Sequence, residues 1–218
     1  MQPLRVTFVA GVTPDKWART WRERLPDVPL ELLPTEEPDQ LDAVRSGAAE
    51  MAFVRLPVDR TGLHVIPLYE EVPVAVLPKE HLYAGLDEVV EADLADEHRP
   101  DLSTMTVRQA VEVVASGTGV VVLPMSVARL HHRKDVVAVP VADLSSTTVA
   151  LAWPVAAEDP RLDEFVGVVR GRTRNSSRGG GVPSPPRDKG VTSRRATGAP
   201  RGSRPRTGTR RGHGRRTR

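Results

Sequence analysis

The stretch that most constrains this chain is Thr106–Pro124. Thr106 is a helix N-cap by type, and Gln109, three residues on, completes a capping box. Val107, Ala110, Val111 and Val114 recur at the spacing of one buried helical face. Gly117 stands where a left-handed cap ends a helix, and Gly119 leaves room for close backbone approach. Val120–Leu123 is a short apolar, β-branched run, expected in the middle of a parallel sheet. Pro124 suits the first turn of a further helix, which Met125–His131 continues. Buried helix, glycine turn, buried strand and new helix together predict an α/β layer.

The remaining segments extend this pattern. Leu4–Ala10 reads as a first strand. Thr13 and Pro14 are expected as N-cap and N1 of a helix that ends at Leu25-Pro26. Trp17, Trp21 and Leu25 share one face of it; the tryptophans either pack in the core or help cover a ligand or partner helix. Val28–Leu33 is a second strand. Thr35–Pro38 turns into a helix that buries Leu41 and Val44 and stops at Gly47. Ala48–Arg55 leads into strand three. Such an alternation predicts parallel crossovers. Leu63–Tyr69, Val74–Leu77, Val136–Val141 and Thr147–Trp153 are further strand-like runs. Asp159-Pro160 opens a last helix with Leu162, Phe165, Val166 and Val169 on one face.

Three of these segments carry a resemblance. Val114–Pro124 (VASGTGVVVLP), Leu41–Arg55 (LDAVRSGAAEMAFVR) and Pro67–His81 (PLYEEVPVAVLPKEH) resemble motifs of the effector-binding domain of LysR-type transcriptional regulators. The resemblance covers residues 4–172 with the segments in order. It implies an α/β fold like a type II periplasmic binding protein, with two lobes of mostly parallel sheets. Crossings near residues 72 and 141 give lobe I as 1–72 and 142–170, and lobe II as 73–141. The chain departs from the family pattern at Asp96–Met105, where only ten residues replace a longer segment with an extra strand, so lobe II is expected to be trimmed. Relatives carry an N-terminal helix-turn-helix, whereas this sequence begins at the first strand. The reading is therefore a stand-alone effector domain, paired with itself or with a full-length LysR-type regulator.

The net charge of +3 hides two opposed parts. Residues 170–218 hold 16 Lys+Arg against 1 Asp+Glu; residues 1–169 hold 15 against 27. The acidic part has the apolar periodicity of a fold. The segment 171–218 is rich in Arg, Gly, Pro, Ser and Thr, lacks that periodicity and is expected to be disordered. Two readings of it stay open. One is a weak, non-specific nucleic-acid arm through Arg201, Arg204, Arg206, Arg210 and Arg211, whose Pro200–Arg206 resembles a minor-groove AT-hook interrupted by Ser203. The other is an inert solvated tail. No signal peptide or run of ~18 apolar residues is seen, which points to the cytoplasm and to no membrane partner.

The sequence contains no Cys, which excludes disulfides and thiolate metal sites. Adjacent Glu36 and Glu37 do not have to converge as an acid/base pair. His131 and His132 point about 100° apart on a helix and read as a basic helix end rather than metal ligands. No nucleotide-binding or nucleophile-elbow motif occurs. Neither catalysis nor a cofactor nor a metal is expected; an enzyme on the same fold is the remotest of three readings. The foremost is a sensor of a small organic anion, a carboxylate by expectation, and the other is a dimerisation partner whose cleft has degenerated. Ligands on such sheets sit at the carboxyl ends of strands, between lobes. Thr13, Thr35, Arg55, Thr106 and Thr118 are the candidate ligand-binding residues. Each Thr is otherwise a simple cap, and Arg55 grips a carboxylate or forms a surface ion pair.

Overall fold

A computed structural model of the chain describes residues 2–171. The basic-tail residues Arg201, Arg204, Arg206, Arg210 and Arg211 lie outside the described residues, as does the expectation of disorder over 172–218. The order is β1 (Leu4–Val9), α1 (Asp15–Arg24), β2 (Leu30–Thr35), α2 (Asp42–Arg45), β3 (Met51–Arg55), β4 (Leu63–Glu71) and β5 (Pro73–Pro78). A 3-10 turn, Glu91–Leu94, precedes α3 (Val107–Ala115), β6 (Val121–Pro124), α4 (Met125–Leu130), β7 (Val136–Pro140), β8 (Thr147–Pro154) and α5 (Pro160–Val169).

Among the described residues two sheets form, and each organises a lobe. The larger has the order β2-β1-β3-β8-β4 and the smaller β6-β5-β7. The chain leaves the first sheet between Glu71 and Pro73 and returns to it with β8. Strands β1, β2 and β3 are parallel, as the strand–helix alternation predicts. The expectation of mostly parallel sheets fails beyond them. β8 runs antiparallel to both β3 and β4, and the whole smaller sheet is antiparallel. The Val120–Leu123 run does not lie inside a parallel sheet; β6 is an edge strand antiparallel to β5. An apolar run reports burial on both faces but carries no information on the direction of its partner.

Burial explains why these segments hold their places. All five residues of β3 are buried because both faces are covered. On one face Trp17 stacks on Phe53 with ring centroids 4.7 Å apart, and Phe165 of α5 meets Trp21 edge-on at 5.5 Å. The Trp21 indole N–H donates to the Val28 carbonyl at 2.9 Å, so the buried polar edge is satisfied. Leu41 and Val44 cover the other face, against Ala52, Val54, Ala150 and Ala152. In the smaller lobe α3 and α4 bury Ala110, Val111, Val114 and Val127 on Val74 and Val76. Leu77, Val89, Leu94 and Val139 close the opposite face.

The glycine turn after α3 works as its residues imply. Gly117 takes φ 88° after the Ser116 cap. Gly119 has φ 74°, and a Cβ there would run into the His98 carbonyl, which accepts from Val120 N at 2.8 Å. The capping box is formed: Thr106 Oγ1 accepts from Gln109 N at 3.3 Å, and Gln109 Oε1 accepts from Thr106 N at 2.9 Å. The start of α1 is shifted by one residue. Pro14, not Thr13, is its N-cap, and the Pro14 carbonyl takes the first helical hydrogen bonds from Trp17 and Ala18. Its missing N–H costs nothing there, and Thr13 is left out of the helix.

Candidate functional site

A cleft of about 940 Å³ opens between the two lobes. Lobe I contributes Phe8 and Ala10–Thr13, where β1 ends, and Pro34–Glu36, where β2 ends. Lobe II contributes Thr106–Arg108 at the start of α3, with Ser126 and Arg129–His131 from α4 and its end. The strand ends and helix starts meet here because parallel strands β1 and β2 deliver their carboxyl ends to one edge of the sheet. Phe8, Val12, Pro34, Val107 and Leu130 make apolar walls, and hydroxyls and cations are set among them.

The five residues expected from sequence divide. Thr13, Thr35 and Thr106 line the cleft. Thr118 stands on the glycine turn, near Ser116 Oγ at 3.5 Å, and lies outside the cleft lining. Arg55 also lies outside it. Its side chain is only 2% exposed, and its guanidinium is taken up by the protein's own carboxylates. Nε and Nη2 donate to Glu71 Oε2 at 2.9 and 2.8 Å, Nη1 donates to Glu37 Oε2 at 2.7 Å, and Nη2 donates to the Ala10 carbonyl at 3.0 Å. Gln40 clamps the Arg55 backbone from both sides, accepting from its N–H at 2.7 Å and donating to its carbonyl at 3.2 Å. Burial pulls the Arg55 pKa down, but hydrogen bonds and charge from Glu37 and Glu71 outweigh it and hold the group above its ordinary value. The two N–H groups expected to grip a ligand both donate instead to one oxygen of Glu71, Oε2, which the end of β4 brings beside the end of β3.

Two cleft residues carry chemistry that sequence reasoning passed over. Arg129 is exposed and enters none of the ion pairs among the described residues, whereas Arg108 is paired with Glu112 at 3.1 Å. Among the residues that line the cleft, Glu36 is the sole carboxylate beside Arg108 and Arg129, so the lining has net positive charge. Ser126 Oγ donates to Glu71 Oε1, which joins α4 to the Arg55 cluster. Gly11, at φ 89°, packs so tightly on α4 that a Cβ there would run into Ser126 and come within 3.0 Å of Val127 N. The signal available in sequence was spacing: Ser126 and Arg129 follow Pro124, which fixes the helix start, and three residues apart they share a face. A smaller hollow of about 440 Å³ adjoins the cleft through Arg108, Leu130 and His131. Among the described residues no group of three His, Cys, Asp or Glu could hold a metal ion. Nor is any helix among them long and apolar enough to cross a membrane.

Burial also acts on Tyr69, at the rim of the Arg55 cluster. Desolvation and the charge of Glu71 push its phenol up to about 12, against a smaller opposing effect of Arg55. It is a neutral O–H at any physiological pH and cannot serve as a base.

The chain is similar to known proteins in part of its sequence and in its fold. Residues 3–99 match the LysR substrate binding domain. A probable hydrogen peroxide-inducible genes activator of Mycobacterium leprae (strain TN) is 31% identical over 143 residues, covering 51% of this chain and 44% of that protein. The Hca operon transcriptional activator HcaR of Escherichia coli (strain K12) is 24% identical over 179 residues, covering 70% of this chain and 60% of that protein. The chain thus spans about half the length of these two regulators. Among solved structures, the BenM effector binding domain with its effector benzoate is 20% identical, with a TM-score of 0.66 over 78% of this chain and 94% of that one. The reduced form of the OxyR regulatory domain from Pseudomonas aeruginosa is 21% identical, with a TM-score of 0.62 over 77% of this chain and 97% of that one.

Proposed function

We propose that this chain, whose residues 3–99 carry a LysR substrate binding domain and whose fold is that of LysR effector-binding domains, senses a small organic anion in the cleft between its lobes. The observation that carries the reading is Arg129. It enters none of the ion pairs among the described residues, and it lines the cleft with apolar walls and with Thr13, Thr35 and Thr106. A carboxylate is the anion that matches a guanidinium in shape and charge. Binding to both lobes at once favours the closed arrangement, so the ligand acts by shifting a population between open and closed forms. BenM, of the same fold, holds benzoate in its effector binding domain, which makes an aromatic carboxylate a sound first probe.

The test is thermal shift of the purified chain against a carboxylate library, benzoate included. At least one acid raises the melting temperature, and Arg129→Ala weakens it by roughly 10- to 100-fold, the value of a hydrogen bond to a charged group. No stabilisation by any acid, or stabilisation untouched in the variant, rejects the assignment. Thermal shift by hydrogen peroxide is not expected. With no cysteine in the sequence, thiol oxidation cannot carry a response here, whatever the name of the mycobacterial relative suggests.

Pairing with a second copy or with a full-length LysR-type regulator belongs to the same proposal, as does weak, salt-dependent contact with nucleic acid through the arginines of 201–211. Sedimentation of the chain alone tests the first. Binding to DNA of unrelated sequences at low and high salt tests the second.

A further inference from the structure

We infer that Ser126 makes the cleft selective for an anion that also carries a hydrogen-bond donor, such as a hydroxy- or amino-carboxylate. This rests on the anion reading above and narrows it. A serine hydroxyl has one proton to give and two lone pairs. The proton of Ser126 is already committed to Glu71 Oε1. That direction is fixed from behind, because the Glu71 carboxylate is an acceptor held by Arg55 Nε and Nη2 through its other oxygen. Arg55 is itself buried and tied to Glu37 and to the Ala10 carbonyl. Gly11, with no side chain, seats Ser126 closely from the lobe I side.

What Ser126 turns toward the cleft is therefore a lone pair. Thr106 does the same: its Oγ1 donates to Gln109 Oε1 at 3.0 Å and accepts from Gln109 N at 3.3 Å, leaving one lone pair for a guest. The cleft thus has two poles on the lobe II wall. Arg129 donates, and Ser126, three residues earlier on the same helix face, accepts; such positions lie about 5–6 Å apart at Cβ. A guest with a carboxylate at one end and a hydroxyl or ammonium a few ångströms away satisfies both. A guest with an ether or second carboxylate there sets lone pair against lone pair, and a site built for a hydrogen bond rejects such an analogue strongly.

The test is calorimetric titration of the full chain with six acids: cyclohexanecarboxylate, its 3-hydroxy, 4-hydroxy and 3-amino derivatives, and the methyl ethers of the two alcohols. The better hydroxy acid binds at least about tenfold tighter than its own methyl ether, and Ser126→Ala brings the two within about threefold. The first comparison uses the unaltered chain and stands even where the variant folds poorly. Equal affinity of alcohol and ether overturns the inference and leaves the anion reading in place. A preference that survives in Ser126→Ala removes the role given to that residue. No binding by any of the six overturns this inference, and the anion reading falls with it only where the carboxylate library gives no stabilising acid either.

Discussion

Replacing Glu71 by alanine separates a structural role for Arg55 from a ligand-binding one. Arg55 is 2% exposed and Glu71 4% exposed, so the pair is desolvated on both sides, while Glu37 is 55% exposed. Removing one partner of a buried pair costs about 3–5 kcal/mol, and here it leaves the buried guanidinium with the half-exposed Glu37 as its one carboxylate among the described residues. Glu71→Ala also strips Ser126 of its acceptor. For a chain of this size 1 kcal/mol moves the melting temperature by about 2–4 °C, so the variant should melt roughly 6–20 °C lower. Glu37→Ala removes only an exposed partner, worth about 0–1 kcal/mol, and should shift melting by less than about 4 °C. The double variant Arg55→Met with Glu71→Leu should recover most of the loss, because apolar residues of similar volume replace a buried pair at little net cost. Circular-dichroism melts of the four proteins make the comparison. Equal losses for Glu71→Ala and Glu37→Ala would show that the cluster is open to water and refute the reasoning.

Other predictions follow from single positions. Gly119→Ala should destabilise more than Gly117→Ala in chemical denaturation: both incur about 1–2 kcal/mol for positive φ, but only at Gly119 does the new Cβ meet the His98 carbonyl. Thr106→Ala should cost about 1 kcal/mol through loss of the α3 cap, read in the same assay. Acid melts report on Asp159 and Glu50. The Arg161 side-chain hydrogen bond, against some desolvation, holds Asp159 below the usual carboxylate range; burial pushes Glu50 up, but Arg5 outweighs it. A carboxylate whose folded pKa is depressed stabilises fully above its unfolded value of about 4, and that contribution is lost as pH falls through the lower folded value. Melting temperature should therefore fall below about pH 4, and less steeply in Asp159→Asn.

Short-range chemistry was legible in the sequence. The capping box at Thr106 and Gln109 and the positive-φ glycines are decided within a few residues, so type and spacing suffice to place them. The parallel β1, β2 and β3 follow from strand–helix alternation, which is also local. Strand direction elsewhere was not legible. β5 and β6 are far apart along the chain, and nothing in an apolar run says which way its partner travels. The site shows the same division. Thr13, Thr35 and Thr106 stand at element ends that any α/β reading brings to one edge. Arg55 stands at such an end too, but its destination depends on Glu71, sixteen residues on, arriving by way of β4. Ser126 and Arg129 were hidden because a helix of six residues offers little periodicity to show which face it turns inward.

The central claim is that a small anion is held between the lobes, and amide chemical-shift mapping tests it most directly. Titrating a stabilising carboxylate into labelled protein should move the signals of Gly11, Thr13, Thr35, Thr106, Ser126 and Arg129 together, with one common affinity from both lobes. Shifts confined to one lobe, or scattered over residues remote from the cleft, would contradict it.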